Sequence, residues 1–87
     1  MTLAFLNPSR SFDEPRNAVR FIGHDGMFEV PFFVETGALV APGQPAPSEA
    51  QSLRAFDAAR ASIHNVAREA YSHGRRTFYT LTAADFR

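Results

Sequence analysis

The chain has 87 residues, enough for one small domain, and its nine basic and nine acidic side chains cancel. Every basic residue is arginine and there is no cysteine, which excludes a lysine Schiff base, a phosphate-loop lysine, thiol catalysis, thiolate zinc sites and disulfides. The charge balance argues against a general electrostatic grip on nucleic acid or on an anionic membrane.

No apolar run approaches membrane-spanning length, and no basic leader precedes the short apolar start, so a soluble, cytoplasmic protein is expected. A chain this short buries only about 60–65% of its unfolded surface, leaving a thin stability margin. Nine Phe and two Tyr work against that limit, because each buried aromatic removes a large area from water.

Residues 3–6 form a short apolar run stopped by Asn7-Pro8, compatible with a short N-terminal strand. Residues 9–17 are polar apart from Phe12 and contain the turn signal Asp13-Glu14-Pro15. They are expected to form a loop that Phe12 anchors to the core.

Residues 18–34 predict a β-hairpin. Asp25-Gly26 is a favoured two-residue turn, since both positions tolerate positive φ. Folding about it sets His24 opposite Met27, with Val19, Phe21, Gly23, Phe28, Val30 and Phe32 on one apolar face. A longer loop over residues 23–26 keeps the same faces and sets Arg20 opposite Glu29, and the sequence leaves both registers open. Pro31 has no N–H to donate, so a bulge or an early end to pairing is expected there.

Residues 35–40 can hold a helical turn around Ala38-Leu39. Residues 41–47, with three Pro and one Gly, form a linker inside a single domain spanning residues 1–87. The strongest element follows at residues 48–74. Ser48 is a good N-cap, and Ser48-Glu49-Ala50-Gln51 reads as a capping box. Gly74 can close the helix in the left-handed conformation. Leu53, Phe56, Ala59, Ile63, Val66, Ala67 and Ala70 form one stripe at helical spacing, with Tyr71 on its edge. One long amphipathic helix is predicted, about 37 Å in length at the usual rise. The hairpin strands span only roughly 25 Å, so the helix must overhang, cross diagonally, fray or meet another subunit.

Residues 77–82 alternate and are β-prone, with Tyr79 and Leu81 on one face. Thr82 and Asp85 form a second capping signal, followed by a helical turn with Phe86 folded back. The expected architecture is a two-layer α+β domain: an antiparallel sheet made of the hairpin and the C-terminal strand, with one long helix across one face.

No metal, cofactor or catalytic order emerges. His64 and His73 are nine residues apart on opposite sides of the helix, and His24 has no sequence-local partner, so no metal-ligand pair forms. No serine sits in a strained Gly-x-Ser-x-Gly context. Two clusters remain. Asp57, Arg60 and His64 share one flank of the helix, where they read as an anion-contact site or, more simply, as a solvated rim whose stems cover the sheet edge. Arg68, His73, Arg75, Arg76 and Tyr79 make a basic and aromatic group that would serve nucleic-acid contact. Residues 48–87 hold six Arg against four acids, too weak a stripe for a typical nucleic-acid reader.

Taken in order, several stretches resemble a bacterial family classed as domain of unknown function 1488. They are Ser11-Phe12-Asp13, Ala18-Val19-Arg20-Phe21 before Asp25-Gly26, Val34-Glu35-Thr36-Gly37-Ala38-Leu39, Phe56-Asp57-Ala58-Ala59-Arg60 through Ile63 and Ala67, and Leu81-Thr82-Ala83-Ala84-Asp85-Phe86. The resemblance covers nearly the whole chain and implies a small, single-domain, cytosolic α+β protein. It brings no reaction, ligand or site residue with it. The function expected from the residues is a non-enzymatic protein-interaction module that self-associates, as a homodimer for example, through exposed apolar surface. The alternatives are a nucleic-acid-associated regulator and a small-ligand or anion-binding domain at Arg60 and His64.

Overall fold

The helical region begins as its capping sequence dictates. The Ser48 hydroxyl accepts from the Gln51 N–H at 3.1 Å, and the Gln51 side chain accepts from the Ser48 N–H at 2.9 Å. This closed capping box satisfies two donors that would otherwise face water. The structure, a computed structural model that describes residues 3–6, 8–41 and 43–86, then departs from the expected single helix. There are two segments, α1 (Glu49–Ala58) and α2 (Arg60–Ser72). Ala59 between them has φ −109° and ψ 16°, and its N–H is shared by the carbonyls of Ala55 at 3.1 Å and Phe56 at 3.2 Å. The Ile63 N–H still returns to the Ala59 carbonyl at 2.9 Å, so the break is a bend within a hydrogen-bonded ladder.

No Gly or Pro marks that bend, and its reason is tertiary. The sheet consists of β1 (Arg10–Asp13), β2 (Ala18–Asp25), β3 (Phe28–Glu35) and β4 (Tyr79–Leu81), in that spatial order. Helix α1 packs over β1 and β2, and α2 over β4. A straight 37 Å rod cannot follow a twisted sheet with strands of roughly 25 Å. Bending at Ala59 lets each half keep its apolar side on the strands beneath it.

The sheet is mixed, not purely antiparallel as expected. Strands β1, β2 and β3 pair antiparallel, but β3 and β4 run parallel, with Phe32 opposite Tyr79 and Val34 opposite Leu81. The helical crossover returns the chain to the end of the sheet at which β3 began, and a strand that follows such a return must run parallel. Strand β1 lies inside the stretch expected to be a loop. Phe12 in it packs against the core as anticipated. Beyond β1, Ala4 exchanges backbone hydrogen bonds with His24 at 2.8 and 2.7 Å, so the N-terminal run adds one bridge along the same edge of β2.

The hairpin adopts neither expected register. Asp25 pairs with Phe28 and His24 with Glu29, which makes Gly26 and Met27 the two turn residues. Gly26 has φ +61°, and glycine first in the turn is the mark of a type II′ connection. The shift is by an even number of residues, so the faces survive: Val19, Phe21, Gly23, Val30, Phe32 and Val34 are all buried toward the helices. Phe28 is the exception. It was expected in the core but lies at the tip, 78% exposed.

Pairing also runs straight through Pro31, without the expected bulge, to Ala18 opposite Glu35. The Thr36 N–H bonds to the Asn17 carbonyl, which fixes the phase of the ladder and leaves Ile22–Pro31 a non-hydrogen-bonded pair. Proline therefore costs β2 nothing.

Phe56, Ile63 and Ala67 sit at 0–1% exposure against Val19, Phe21, Phe32, Val34 and Leu81, with Leu53, Ala59, Val66 and Ala70 around them. The predicted helical stripe is thus the buried one. At the C-terminus the Thr82 N–H donates to Asp85 at 2.7 Å, and Phe86 folds back onto the core as expected. On the opposite side of the sheet, Phe33 is covered by the Arg16 guanidinium at 4.4 Å and by the edge of Phe78. Gly23 is needed for close approach: a Cβ there would lie 3.0–3.1 Å from the side chains of Leu3, Phe5 and Phe32.

Two substitutions test this packing. Phe56→Ala should destabilise by about 3–5 kcal/mol in chemical denaturation. Gly23→Val should cost about 1–3 kcal/mol through overpacking, and it should act by displacing Leu3 and Phe5, visible as faster amide exchange at Ala4.

Candidate functional site

The helix flank singled out from the sequence is where α1 meets α2. Asp57, at the end of α1, accepts a two-point bond from Arg10 of β1, Nε to Oδ1 at 3.0 Å and Nη2 to Oδ2 at 2.8 Å. It also accepts from Arg60 Nη2 at 2.7 Å. Arg10, with Arg60, holds the Asp57 carboxyl below the usual carboxylate range. The Arg60 guanidinium lies 4.9 Å from the Phe56 ring centroid. So the structure joins Asp57 and Arg60 as the helical spacing predicts, and adds Arg10. That residue was hidden in the sequence because nothing local links it to the helix.

His64 completes the flank differently. Its imidazole stacks on Phe5 with centroids 3.9 Å apart and planes 9° from parallel. Burial lowers its pKa to about 4, helped by the positive charges of Arg60 and Arg68. A neutral, stacked imidazole is a packing group here. Pro8, Ser9, Arg10, Asp57 and Arg60 border a shallow hollow of about 460 Å³. The arginines beside it are already committed to Asp57, so the flank works as a clamp fastening β1 and the N-terminal run to the bend in the helix.

The basic and aromatic group does not assemble as one surface. Arg68 turns to the N-terminal run, donating to the Leu3 carbonyl at 3.3 Å and standing over Phe5 at 5.0 Å. Tyr79 is 4% exposed. Its hydroxyl accepts from the Arg76 N–H and donates to the Gly74 carbonyl, which shapes the chain entering β4. His73 meets Glu69 at 3.1 Å. Arg75 and Arg76 stay near each other, and they face the hairpin tip.

That tip holds a second site, which the expected register concealed. A groove of about 520 Å³ runs between the β2–β3 turn and the segment leading into β4. Residues 25–30 of the hairpin line it together with Tyr71 of α2 and with Arg75 and Arg76. Met27 is 97% exposed. The Tyr71 hydroxyl donates to Asp25, which raises the tyrosine pKa and leaves the carboxylate engaged. The signal in the sequence was Gly26: as first turn residue it moves Met27 and Phe28 to the tip. Among the described residues no group of three or more His, Asp or Glu is placed to hold a metal ion, and no helix is long and apolar enough to cross a membrane.

These features define a small two-layer α+β domain with one face of a four-stranded mixed sheet covered by a bent helix pair. The family model described as "Protein of unknown function (DUF1488)" matches residues 3–82. The chain belongs to the DUF1488 family, as the ordered stretches from Ser11 to Phe86 suggested. Comparison with curated proteins finds no match, and comparison with solved structures finds none either.

The His64 environment sets a pH dependence. The unfolded chain takes up a proton on this histidine near pH 6.5, whereas the folded chain resists until about pH 4. The His64 contribution to stability is therefore complete above about pH 6.5 and is lost progressively as pH falls toward 4. Thermal melts at several pH values should show Tm falling across that window, and His64→Phe, which keeps the stacking on Phe5, should flatten the curve.

Proposed function

We propose that this chain is a non-enzymatic protein-interaction module whose working surface is the tip of the β2–β3 hairpin and the groove behind it. One observation carries the reading: Met27 and Phe28 stand 97% and 78% exposed, side by side, at the mouth of a groove. In a chain that hides Phe21, Phe32, Phe33 and Phe56 almost completely, two adjacent large apolar side chains left in water need a reason. Exposed apolar groups beside a concave surface with polar walls are the usual anatomy of a binding site. The clamp at Asp57 favours the tip over the helix flank as the working surface, because its charges are already mutually satisfied.

The reading extends to self-association as one form of interaction, with a second copy as partner. A photoreactive amino acid placed at position 27 should give discrete covalent adducts when irradiated in the producing cell. The same group at position 54, on the exposed side of α1, should give none. An adduct of twice the chain mass identifies a second copy, and a different mass identifies another protein. Equal labelling at both positions, or none at position 27, would refute the reading.

A further inference from the structure

Strand β4 pairs with β3 only from Phe32 to Val34, so residues 28–31 have β2 on one side and an open edge on the other. The chain entering β4 bows away there through Arg75 and Arg76. Tyr79 fixes that bow through its bonds to the Arg76 N–H and the Gly74 carbonyl. The groove is the space between hairpin and bow. Beside it the tip projects, with Met27 and Phe28 in water. One patch of surface therefore carries both an apolar projection and a recess whose lining includes Val30 and Tyr71.

The charges around the recess come in both signs: Asp25 and Glu29 from the hairpin, Arg75 and Arg76 from the bow. Asp25 accepts the Tyr71 hydroxyl, which raises the tyrosine pKa, and the Arg75 charge works against that rise. Those two charges already belong to one cluster. The other two are uncommitted. Glu29 reaches only His24, at 3.9 Å, too far for a hydrogen bond. The Arg76 guanidinium has no carboxylate in ion-pair range among the described residues. An acidic occupant would satisfy Arg76 and oppose Glu29, and a basic one would do the reverse. A wholly apolar one would cover both charges without pairing either. The recess therefore calls for an occupant that has one charge of each sign beside an apolar projection. The tip and its own surroundings have that composition.

We propose that the occupant is the hairpin tip of a second copy of this chain, the two molecules docking tip into groove about a two-fold axis. The proposal rests on the interaction reading above and names its partner. In a two-fold interface every contact from one residue to another is repeated in reverse. Met27 and Phe28 of each copy enter the recess of the other, and Glu29 of each meets Arg76 of the other, so both uncommitted charges are paired twice. Two tips and two recesses together bury on the order of 1,000 Å², the low end for a specific interface. The dimer is accordingly a weak and reversible one.

The measurement is sedimentation velocity on the full chain, from micromolar to near-millimolar concentration, where a reversible dimer should appear. Glu29→Arg and Arg76→Glu each set like charge against like at both contacts, so each alone should weaken dimerisation about tenfold or more. An equimolar mixture of the two variants restores one Arg and one Glu at each contact. It should form a heterodimer about as well as the unaltered chain forms its homodimer. Phe28→Ser should weaken the homodimer. All three side chains are exposed, so far-UV circular dichroism should not change. A chain that stays monomeric throughout, charge variants that dimerise as before, or a mixture that stays monomeric would each overturn the proposal. If the chain is monomeric while position 27 cross-links to a different protein, the interaction reading stands and only self-docking falls.

Discussion

Phe21 is the point through which the two layers are held in place. Its ring lies 5.1 Å from Phe56 of α1, 5.3 Å from Phe32 of β3 and 5.9 Å from Phe5 of the N-terminal run, centroid to centroid. Phe32 passes the contact on to Tyr79 of β4 at 5.1 Å, and Tyr79 to Tyr71 of α2 at 5.9 Å. One relay of rings therefore joins three strands, both helices and the terminal segment. Aromatic contacts of this kind add about 0.5–1.5 kcal/mol beyond the area they bury. In a domain with so little interior, that relay largely replaces the bulk a larger protein would have.

Both surface regions inherit their geometry from it. Stacking of Phe5 on His64 and the Arg10–Asp57–Arg60 clamp fasten the bend of the helix pair over the sheet. Near the C-terminal end of α2, Tyr71 and Tyr79 commit their hydroxyls to Asp25 and to the chain entering β4. The rings are core, but their polar ends hold Asp25 and the chain around Arg76, both of which border the groove. Rigid aromatic anchoring of a recess is a common way for a small domain to keep a site formed before any ligand arrives.

Much of this was legible in the residues. The buried stripe of the helix, the capping box at Ser48, the core faces of the hairpin, the shared face of Tyr79 and Leu81 and the return of Phe86 all follow from periodicity and local hydrogen-bonding chemistry, whereas the burial of Tyr79, read as a surface contact, does not. The failures share one cause, since each depended on long-range geometry. The bend at Ala59 has no Gly or Pro to announce it and answers to the sheet below. β1 lay in a polar stretch because an edge strand with one solvent-facing side resembles a loop. The parallel pairing of β4 was deducible from the helical crossover, but three residues of strand carry no direction of their own. Of the candidate sites, Asp57 with Arg60 was readable at helical spacing, while Arg10 was not. The groove depended on a two-residue difference in hairpin register, which leaves core faces unchanged and alters only the tip.

Pro31 has a consequence for colloidal behaviour. An open edge next to exposed Met27 and Phe28 is the kind of surface from which chains grow into fibrils, each new strand offering its own edge to the next. Because the proline ring sits where β3 would otherwise present its next outward donor, propagation stalls within a single pair of residues. The same residue that leaves the hairpin ladder intact thus shortens the run of outward donors that a growing fibril would need.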